Sequence, residues 1–264
     1  DLGTYVANEL ELEAAISTKT RAIMMAHTLG NPFNLELVER LAKKHNLWII
    51  EDSCDALGGT YKGQNLGSFG DFSAFSFQGA KLMVTGEGGM LVTNDDSLYR
   101  KALKIWDQGR DPSRAFWIDG EGIKFKMSNL QAAFGLAQLE RVDEMIEMKR
   151  RLFNWYQEYL KDIPYLTFNN EVEGGRSIHW MTSILINRNS PISRDQLMLQ
   201  LKKKNIDTRR VFPSISQYPI WPKKSSPQKN ALYVGENSIN LPSGVCLSRE
   251  EVSYVCAEIK NILA

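Results

Sequence analysis

Two side chains stand where an acid and an amine could act together. Asp52 follows the apolar run Leu47–Ile50, and open α/β sheets bind their ligands at such strand ends. A carboxylate there is costly to desolvate without a cation, although a helix cap or a structural ion pair would also explain it. Lys81 precedes the apolar residues 82–84. Burial would favour its neutral, nucleophilic amine, whereas a lone lysine is more often a solvated surface residue.

Three neighbouring features could complete such a site. Asp55 could face the same cavity as Asp52, or could be a surface acid. Ser76, at the end of the apolar run 72–77, could bind a phosphate oxygen or simply bond to the backbone. The stretch 85–89 reads TGEGG, and its glycines allow a tight turn close to a ligand. A plain hairpin turn is the alternative.

Composition excludes several classes of protein. The chain has 264 residues, of which 43% are hydrophobic, as in globular proteins of one or two domains. Its 32 basic and 31 acidic residues leave a net charge of +1, so no global excess favours nucleic acid. The three cysteines lack CxxC spacing and the three histidines lack metal-ligand spacing. We therefore expect a cytoplasmic protein without a metal site or a membrane span.

The first half of the chain alternates between helices and strands, which predicts an α/β sheet covered on both faces. The predicted elements here are helix 9–17, strand 21–27, helix 34–45 capped by Asn34, strands 47–50, 72–77 and 90–93, and helix 97–106. Residues 127–163 are predicted to be mostly helical, with an apolar stripe at 130–139 that is either core or a dimer surface.

A second α/β unit is predicted after Pro164, which ends the helical segment. It contains strand 180–186, helix 193–205, strand 208–212 and helix 248–263, and the long loop 213–243 precedes the last helix. We place the domain boundary near residue 150. The expected domains are therefore residues 1–150 and a smaller domain of residues 151–264.

The motifs together resemble the sugar aminotransferase family of pyridoxal-phosphate enzymes. The resemblance rests on the acid in EDSCDALGG, the lysine in SFQGAK, the TGEGG loop and the downstream strings KMSNLQAAFG and TRRVFP, and it covers nearly the whole chain. It implies the three-layer fold of aspartate aminotransferase, with a mostly parallel sheet and a smaller C-terminal α/β domain. It also implies that residues 1–150 are a large cofactor-binding domain whose N-terminal part precedes Asp1.

The resemblance assigns roles to matching positions. Lys81 corresponds to the lysine that forms a Schiff base with pyridoxal 5'-phosphate and later moves the proton. Asp52 corresponds to the acid that pairs with the pyridinium nitrogen, and Ser76 to a serine that binds the cofactor phosphate. Asp55 lies at the position next to the ring hydroxyl, where many members have Gln or Glu. Lys124 falls near the position where members often have an Asn that reaches the phosphate of the partner subunit, and a cation could serve that phosphate too.

Two further residues are substrate candidates. Arg209 could meet a substrate carboxylate or diphosphate, or could form a surface ion pair. His179, with Trp180, could lie near the sugar, or the pair could belong to the core. The strings IHWMTSIL and INLPSG are most similar to perosamine-synthase-type 4-aminotransferases. That similarity implies L-glutamate as donor and a nucleotide-linked 4-keto-6-deoxy sugar as acceptor, for surface polysaccharide such as lipopolysaccharide O-antigen.

Two other functions compete with this interpretation. Sugar 3-dehydrases share the fold but carry histidine at the position of Lys81, so the lysine favours an aminotransferase. A non-catalytic relative that binds a sugar nucleotide would be expected if the protein truly lacked the segment before Asp1. The resemblance finally implies a homodimer with two shared active sites.

Overall fold

The computed structural model describes residues 1–7, 9–221 and 228–264, which contain eight α-helices and eleven strands. The helices are α1 (Glu9–Ala15), α2 (Leu35–His45), α3 (Asp96–Trp106), α4 (Asn129–Leu139), α5 (Val142–Leu160), α6 (Arg194–Lys203), α7 (Lys229–Asn237) and α8 (Arg249–Leu263). The strands are β1 (Ala22–Ala26), β2 (Trp48–Asp52), β3 (Thr60–Tyr61), β4 (Gln64–Asn65), β5 (Phe72–Ser76), β6 (Gly89–Val92), β7 (Leu166–Phe168), β8 (Gly175–Arg176), β9 (Ser183–Ile186), β10 (Arg209–Arg210) and β11 (Ser238–Asn240).

The first sheet has the strand order β1-β2-β5-β6. Strands β1, β2 and β5 are parallel, and β6 is antiparallel to β5. The mostly parallel sheet implied by the family resemblance is thus confirmed. Helix α2 begins, as predicted, at the cap Asn34, whose side-chain oxygen accepts a hydrogen bond from the Leu37 amide. Its buried apolar face packs with the inward side chains of β1 and β2.

The other face of this sheet is open among the described residues, so the cover on both faces predicted from the alternation is present there on one face only. Because side chains alternate along a strand, Met24 and Trp48 point away from α2, and both are exposed by more than half. Asp52 pairs with Ala74 of β5, and two residues further on Ser76 presents to the same face. The outward face therefore carries the acid at the carboxyl end of β2.

The second sheet, in the order β10-β11-β9-β7, is antiparallel throughout. Side chains from α5, α6 and α8 cover it and form a large apolar cluster around Tyr156, Ile184 and Leu197. The small sheet β4-β3-β8 connects residues 60–65 to residues 175–176. Helices and strands are therefore present in the second unit as predicted, with antiparallel pairing of the strands.

Helix α5 belongs to two apolar clusters. Its first half contributes Ile146 to a cluster with Leu29, Leu82 and Trp180, and its second half contributes Tyr156 to the cluster on the antiparallel sheet. The predicted helical segment is therefore two helices, α4 and α5, separated at residues 140–141. This division of α5 supports the domain boundary near residue 150, which we keep as a proposal.

The apolar stripe of α4 lies on the surface. Leu130, Phe134, Leu136 and Leu139 are each about half exposed or more, and only Gly135 is buried among residues 129–139. Within this chain the stripe is therefore not core, so the second alternative from the sequence, a dimer surface, remains. No helix in the described ranges is long and apolar enough to cross a membrane.

The prediction of one long loop at residues 213–243 is wrong. The segment contains a 3-10 turn at Ile215–Gln217, helix α7 and strand β11. Strand β11 is the centre of the second sheet, between β9 and β10. Residues 222–227 of this predicted loop lie outside the described residues.

Candidate active site

Lys81 lies in the segment between β5 and β6, residues 77–88, which we call the lysine loop. The Phe77 amide donates to the Gly88 carbonyl at 2.9 Å, and the Thr85 amide donates to the Phe77 carbonyl at 2.8 Å. Gly88 has φ +154, and a Cβ there would lie 2.5 Å from Thr85 Oγ1. The second half of TGEGG thus closes the lysine loop at a position that requires glycine.

Side chains from outside the lysine loop hold it in place. Gln138 of α4 binds both backbone groups of Val84, accepting from its amide at 3.1 Å and donating to its carbonyl. Gln131 donates to the Glu87 carbonyl at 2.8 Å. Trp180 Nε1 donates to the Ala80 carbonyl at 2.8 Å, one residue before the lysine. The loop that carries Lys81 is therefore fixed at three points.

The Lys81 ammonium contacts an acid and an aromatic ring. Its Nζ lies 2.6 Å from Asp55 Oδ1, and both side chains are more than four-fifths buried. The same Nζ lies 4.5 Å from the centroid of the Trp180 ring, a cation–π distance. Burial raises the pKa of the Asp55 carboxyl, and the Lys81 ammonium opposes that rise. The sequence left open whether Asp55 faces the cavity of Asp52 or is a surface acid, and the structure places it in that cavity, beside Lys81.

Asp52 lines the same cavity, which has a volume of about 280 Å³. Its Oδ1 accepts a hydrogen bond from the Cys54 amide at 3.1 Å, and among the described residues no ion pair involves this carboxylate. The remaining lining residues are Ala26, His27, Thr28, Cys54, Asp55, Lys81 and Phe212. One small cavity thus contains both an acid that is available to a cation, Asp52, and an amine, that of Lys81.

Glu51, the neighbour of Asp52, is a fully buried acceptor. Its Oε1 accepts from the Phe69 and Gly70 amides and the Ser73 hydroxyl, at 2.7, 2.6 and 3.0 Å. Its Oε2 accepts from the Gly67 amide at 2.8 Å and from His27 Nε2 at 3.0 Å.

Burial alone would raise the pKa of Glu51, but the hydrogen bonds from His27, Gly67 and Gly70 hold this pKa below its usual value. His27 Nδ1 in turn accepts from the Phe33 amide at 3.1 Å. Both nitrogens of His27 are therefore used, which fixes the ring at the wall of the cavity.

Ser76 and Lys124 lie apart from the cavity. Ser76 Oγ accepts from the Gln78 amide at 3.4 Å, and its position at the end of β5 is on the same face as Asp52. Lys124 is exposed, in the irregular segment between α3 and α4. Their phosphate-binding roles stay predictions, and Lys124 was expected to serve the partner subunit's site.

Arg209 lines a larger cavity of about 1240 Å³, which Lys81 also lines. The cavity is bounded by the first half of the lysine loop, by residues 205–209 and by residues 240–247. The Arg209 side chain is exposed, and no ion pair of the described residues includes it. The surface ion pair considered as its alternative is therefore not formed, and Arg209 remains available to an anion.

His179 lies in the interior. Its ring stacks on Phe153 with centroids 3.6 Å apart and planes 6° from parallel, and only 4% of the residue is exposed. Burial lowers the pKa of His179 to about 4, although Glu171 opposes this. The ring lines neither cavity, so its placement favours the core alternative over sugar contact, because a buried ring cannot reach a substrate without rearrangement.

Sequence reasoning missed several residues that build the site. Local patterns assign no role to Glu51, Gln138 and Lys149, and for Trp180 they predict only a sugar contact or a core position. The available signal was chemical: a carboxylate inside an apolar strand, and an amide or an ammonium on a helix face that packs inward. Their partners are distant in the chain, and no local spacing reveals them.

The cavity fits pyridoxal phosphate on its own chemistry. Asp52 offers a carboxylate oxygen at the end of a parallel strand, where a protonated ring nitrogen would be its cationic partner. Lys81 offers the amine for an aldehyde carbon, and Asp55 lies beside that amine. The donor set therefore suits the ring end of the cofactor, and Ser76 is the described candidate for its phosphate.

Fold and site together define the class of pyridoxal-phosphate-dependent aminotransferases. The chain belongs to the DegT/DnrJ/EryC1/StrS aminotransferase family, whose model matches residues 1–260. The family expected from the motifs, its fold and its cofactor are thereby confirmed.

Curated relatives and solved structures agree with this family. GDP-perosamine synthase of Escherichia coli O157:H7 is 39% identical over 261 residues, covering 99% of this chain and 71% of the relative. A dTDP-4-dehydro-2,6-dideoxy-D-glucose 3-dehydratase of Saccharopolyspora spinosa is 32% identical, covering 84% of this chain and 54% of the relative. PseC of Helicobacter pylori, an aminotransferase involved in pseudoaminic acid biosynthesis, superposes with a TM-score of 0.92 at 28% identity, covering 97% of this chain and 70% of that one.

Proposed function

We propose that the protein transfers an amino group from L-glutamate to the C4 ketone of a nucleotide-linked 4-keto-6-deoxy sugar. The observation that carries this proposal is the amine of Lys81, held at 2.6 Å from Asp55 in the cavity that Asp52 also lines. The similarity to GDP-perosamine synthases over nearly the whole chain supports the choice of sugar. Guanosine diphosphate is accordingly the first nucleotide to test.

The residues divide the chemistry among them. Pyridoxal phosphate supplies an electron sink when bound. Asp52 would hold a proton on its ring nitrogen, and Lys81 Nζ would bind its aldehyde carbon and, once released, move the proton at the substrate carbon. Asp55 keeps the released amine of Lys81 oriented. Arg209, exposed beside the larger cavity, would bind a substrate carboxylate or diphosphate.

A homodimer is part of this proposal. The apolar side chains of α4 are exposed, which supports an interface between two copies of this chain. Lys124, also exposed, would then reach the phosphate in the partner's site. The cytoplasmic location and the role in lipopolysaccharide O-antigen synthesis are proposed with it, the latter supported by the perosamine synthases.

The decisive experiment compares sugars and variants. With glutamate and pyridoxal phosphate, we expect 2-oxoglutarate to form in step with a 4-amino sugar when a nucleotide-linked 4-keto-6-deoxyhexose is supplied. Lys81→Arg keeps the positive charge beside Asp55 but removes the usable amine, so turnover should fall by at least about 10³-fold. Glu144→Gln, at an exposed helix position, is the matched control and should leave turnover unchanged.

Two results would contradict the proposal. Loss of the sugar's 3-hydroxyl without net transfer of nitrogen would identify a dehydrase, the activity named for one relative. Binding of the nucleotide sugar with no affinity for pyridoxal phosphate would identify a non-catalytic binding protein.

A further inference from the structure

Lys149 is a buried cation that the chemistry above does not use. It lies on α5, only 7% of it is exposed, and burial lowers its pKa to about 8. Its Nζ donates to the backbone carbonyl of Trp180 at 2.7 Å and to that of Ser243. No carboxylate of the described residues forms an ion pair with it. An apolar side chain would occupy this place without the desolvation of an ammonium, so packing alone does not account for the lysine.

The first of the two carbonyls leads to Lys81. The Trp180 backbone is held at both ends, since its amide donates to the Leu29 carbonyl at 3.1 Å and its carbonyl accepts from Lys149. Its indole Nε1 donates to the Ala80 carbonyl, and its ring lies under Lys81 Nζ. The tryptophan therefore fixes both the backbone just before Lys81 and the end of the Lys81 side chain.

The second carbonyl belongs to a different segment. Ser243 follows β11, and its hydroxyl accepts from the Thr182 amide at 3.1 Å. Tyr156, two turns further along α5, donates to the neighbouring Pro242 carbonyl at 2.9 Å. Two side chains of one helix thus hold residues 242–243, but only Lys149 also binds Trp180.

We propose that Lys149 is a positioning residue for Lys81 and acts through Trp180. The path is Lys149 Nζ to the Trp180 carbonyl, then the indole N–H to the Ala80 carbonyl, with the ring against the Lys81 amine. Supporting groups of this kind hold a functional side chain within the small tolerance that its chemistry needs. The inference rests on the proposed role of Lys81, but its main test needs neither cofactor nor substrate.

The test measures the reactivity of the Lys81 amine in the cofactor-free protein. The protein is treated briefly with acetic anhydride, and modification of Lys81 is quantified by peptide mass spectrometry relative to exposed Lys19. We expect Lys149→Met to change this ratio on the order of tenfold. Lys149→Arg, which keeps the charge and the donors, should restore part of it.

Tyr156→Phe is the matched control. It removes a side-chain donor from the same helix to the same segment, residues 242–243, and leaves Trp180 untouched. Its unfolding midpoint is expected to fall like that of Lys149→Met, while the reactivity of Lys81 stays within about twofold of wild type. Equal effects of both variants on Lys81 would show that Lys149 is merely structural and would overturn the proposal.

Trp180→Phe tests the same path with Lys149 intact, so it does not depend on the folding of Lys149→Met. On its own it should also change the reactivity of Lys81, and unchanged reactivity would refute the path. Phenylalanine keeps an aromatic ring but lacks the N–H that binds Ala80. If Lys149 acts through the Trp180 indole N–H, the double variant Lys149→Met/Trp180→Phe should show a smaller change than the product of the two single changes, because contacting residues of one path are not additive. If the double variant instead changes the reactivity of Lys81 by the product of the two single changes, the two residues act independently and the path is refuted. Loss of turnover in Lys81→Arg is measured separately, so failure of the proposed function and failure of this inference are distinguishable.

Discussion

Replacing Glu51 with glutamine is a stringent test of the packing beneath the cavity. The change keeps the shape of the side chain and alters only which atoms accept hydrogen bonds. In the structure both carboxylate oxygens accept, three bonds at Oε1 and two at Oε2, and all five donors are N–H or O–H groups. Glutamine has one oxygen and one NH₂ group, so one set of donors must face another donor.

We expect the NH₂ group of glutamine to face the smaller set of donors, and these donors cannot form other hydrogen bonds in its place. The smaller set consists of the Gly67 amide and His27 Nε2. The imidazole could accept at Nε2 only by moving its proton to Nδ1, where the Phe33 amide already donates. Two buried donors are therefore left unsatisfied, at about 1–3 kcal/mol each. We expect Glu51→Gln to lower the free energy of unfolding by about 4 kcal/mol, a large part of the usual 5–15 kcal/mol or so.

Urea unfolding at neutral pH, followed by tryptophan fluorescence and circular dichroism, measures this loss. The matched control is again Glu144→Gln, whose exposed ion pair with Arg141 contributes little, so it should cost less than about 1 kcal/mol. A loss below about 1 kcal/mol for Glu51→Gln would refute the assignment of five donors to this carboxylate.

Acid provides a second measure of the same carboxylate. Because the folded pKa of Glu51 lies below its ordinary value of 4.5, its ionised form stabilises the protein above that value. This stabilisation is lost as the pH falls through the folded pKa. The difference in free energy of unfolding between wild type and Glu51→Gln should therefore become smaller in acid.

Two further predictions concern single residues. A histidine NMR titration should give the imidazole of His179, which stacks on Phe153, a pKa of about 4. Because this pKa is lowered, the stability that His179 contributes is complete above pH 6.5 and is lost as the pH falls towards 4. A measured pKa near 6.5 would contradict the buried stack. Gly88→Ala and Gly63→Ala both place a side chain at a positive φ, which should cost about 1 kcal/mol each in urea unfolding. Gly88→Ala should cost about 1–3 kcal/mol more, because its Cβ would also meet Thr85 Oγ1 at 2.5 Å, whereas a Cβ at Gly63 meets nothing within 4 Å. Equal losses would contradict the steric argument.

Local sequence patterns predicted the parts of the site that depend on strand ends. Asp52 follows a short apolar run, and Lys81 follows another, so their positions at the same sheet edge are a consequence of parallel pairing. Asp55 is close to Asp52 in the chain, and its contact with Lys81 follows from the same geometry. For each of these three residues the local pattern left a structural or surface role open, and the resemblance of the combined motifs to a family favoured the site.

The supporting contacts could not be predicted in this way. Lys149 meets carbonyls 31 and 94 residues away, and Trp180 Nε1 meets a carbonyl 100 residues away. The sequence left open whether His179 lies near the sugar or in the core, because its stack on Phe153 depends on how α5 packs. The sequence predicts a loop at the position of β11, because a strand of three residues has too few positions to show an alternating pattern.

Helix α5 has a consequence for how the protein unfolds. Its first half is packed in the cluster of Leu82 and Trp180, and its second half in the core of the antiparallel sheet. Most of the stability of a helix in a protein comes from the packing of its apolar face, and the 19 residues of α5 divide that face between the two cores. Melting of either core would fray the helix and remove a wall of the other. The shared helix thus couples two hydrophobic cores into one cooperative unit, and the stability of the lysine loop depends on residues far from the cofactor cavity.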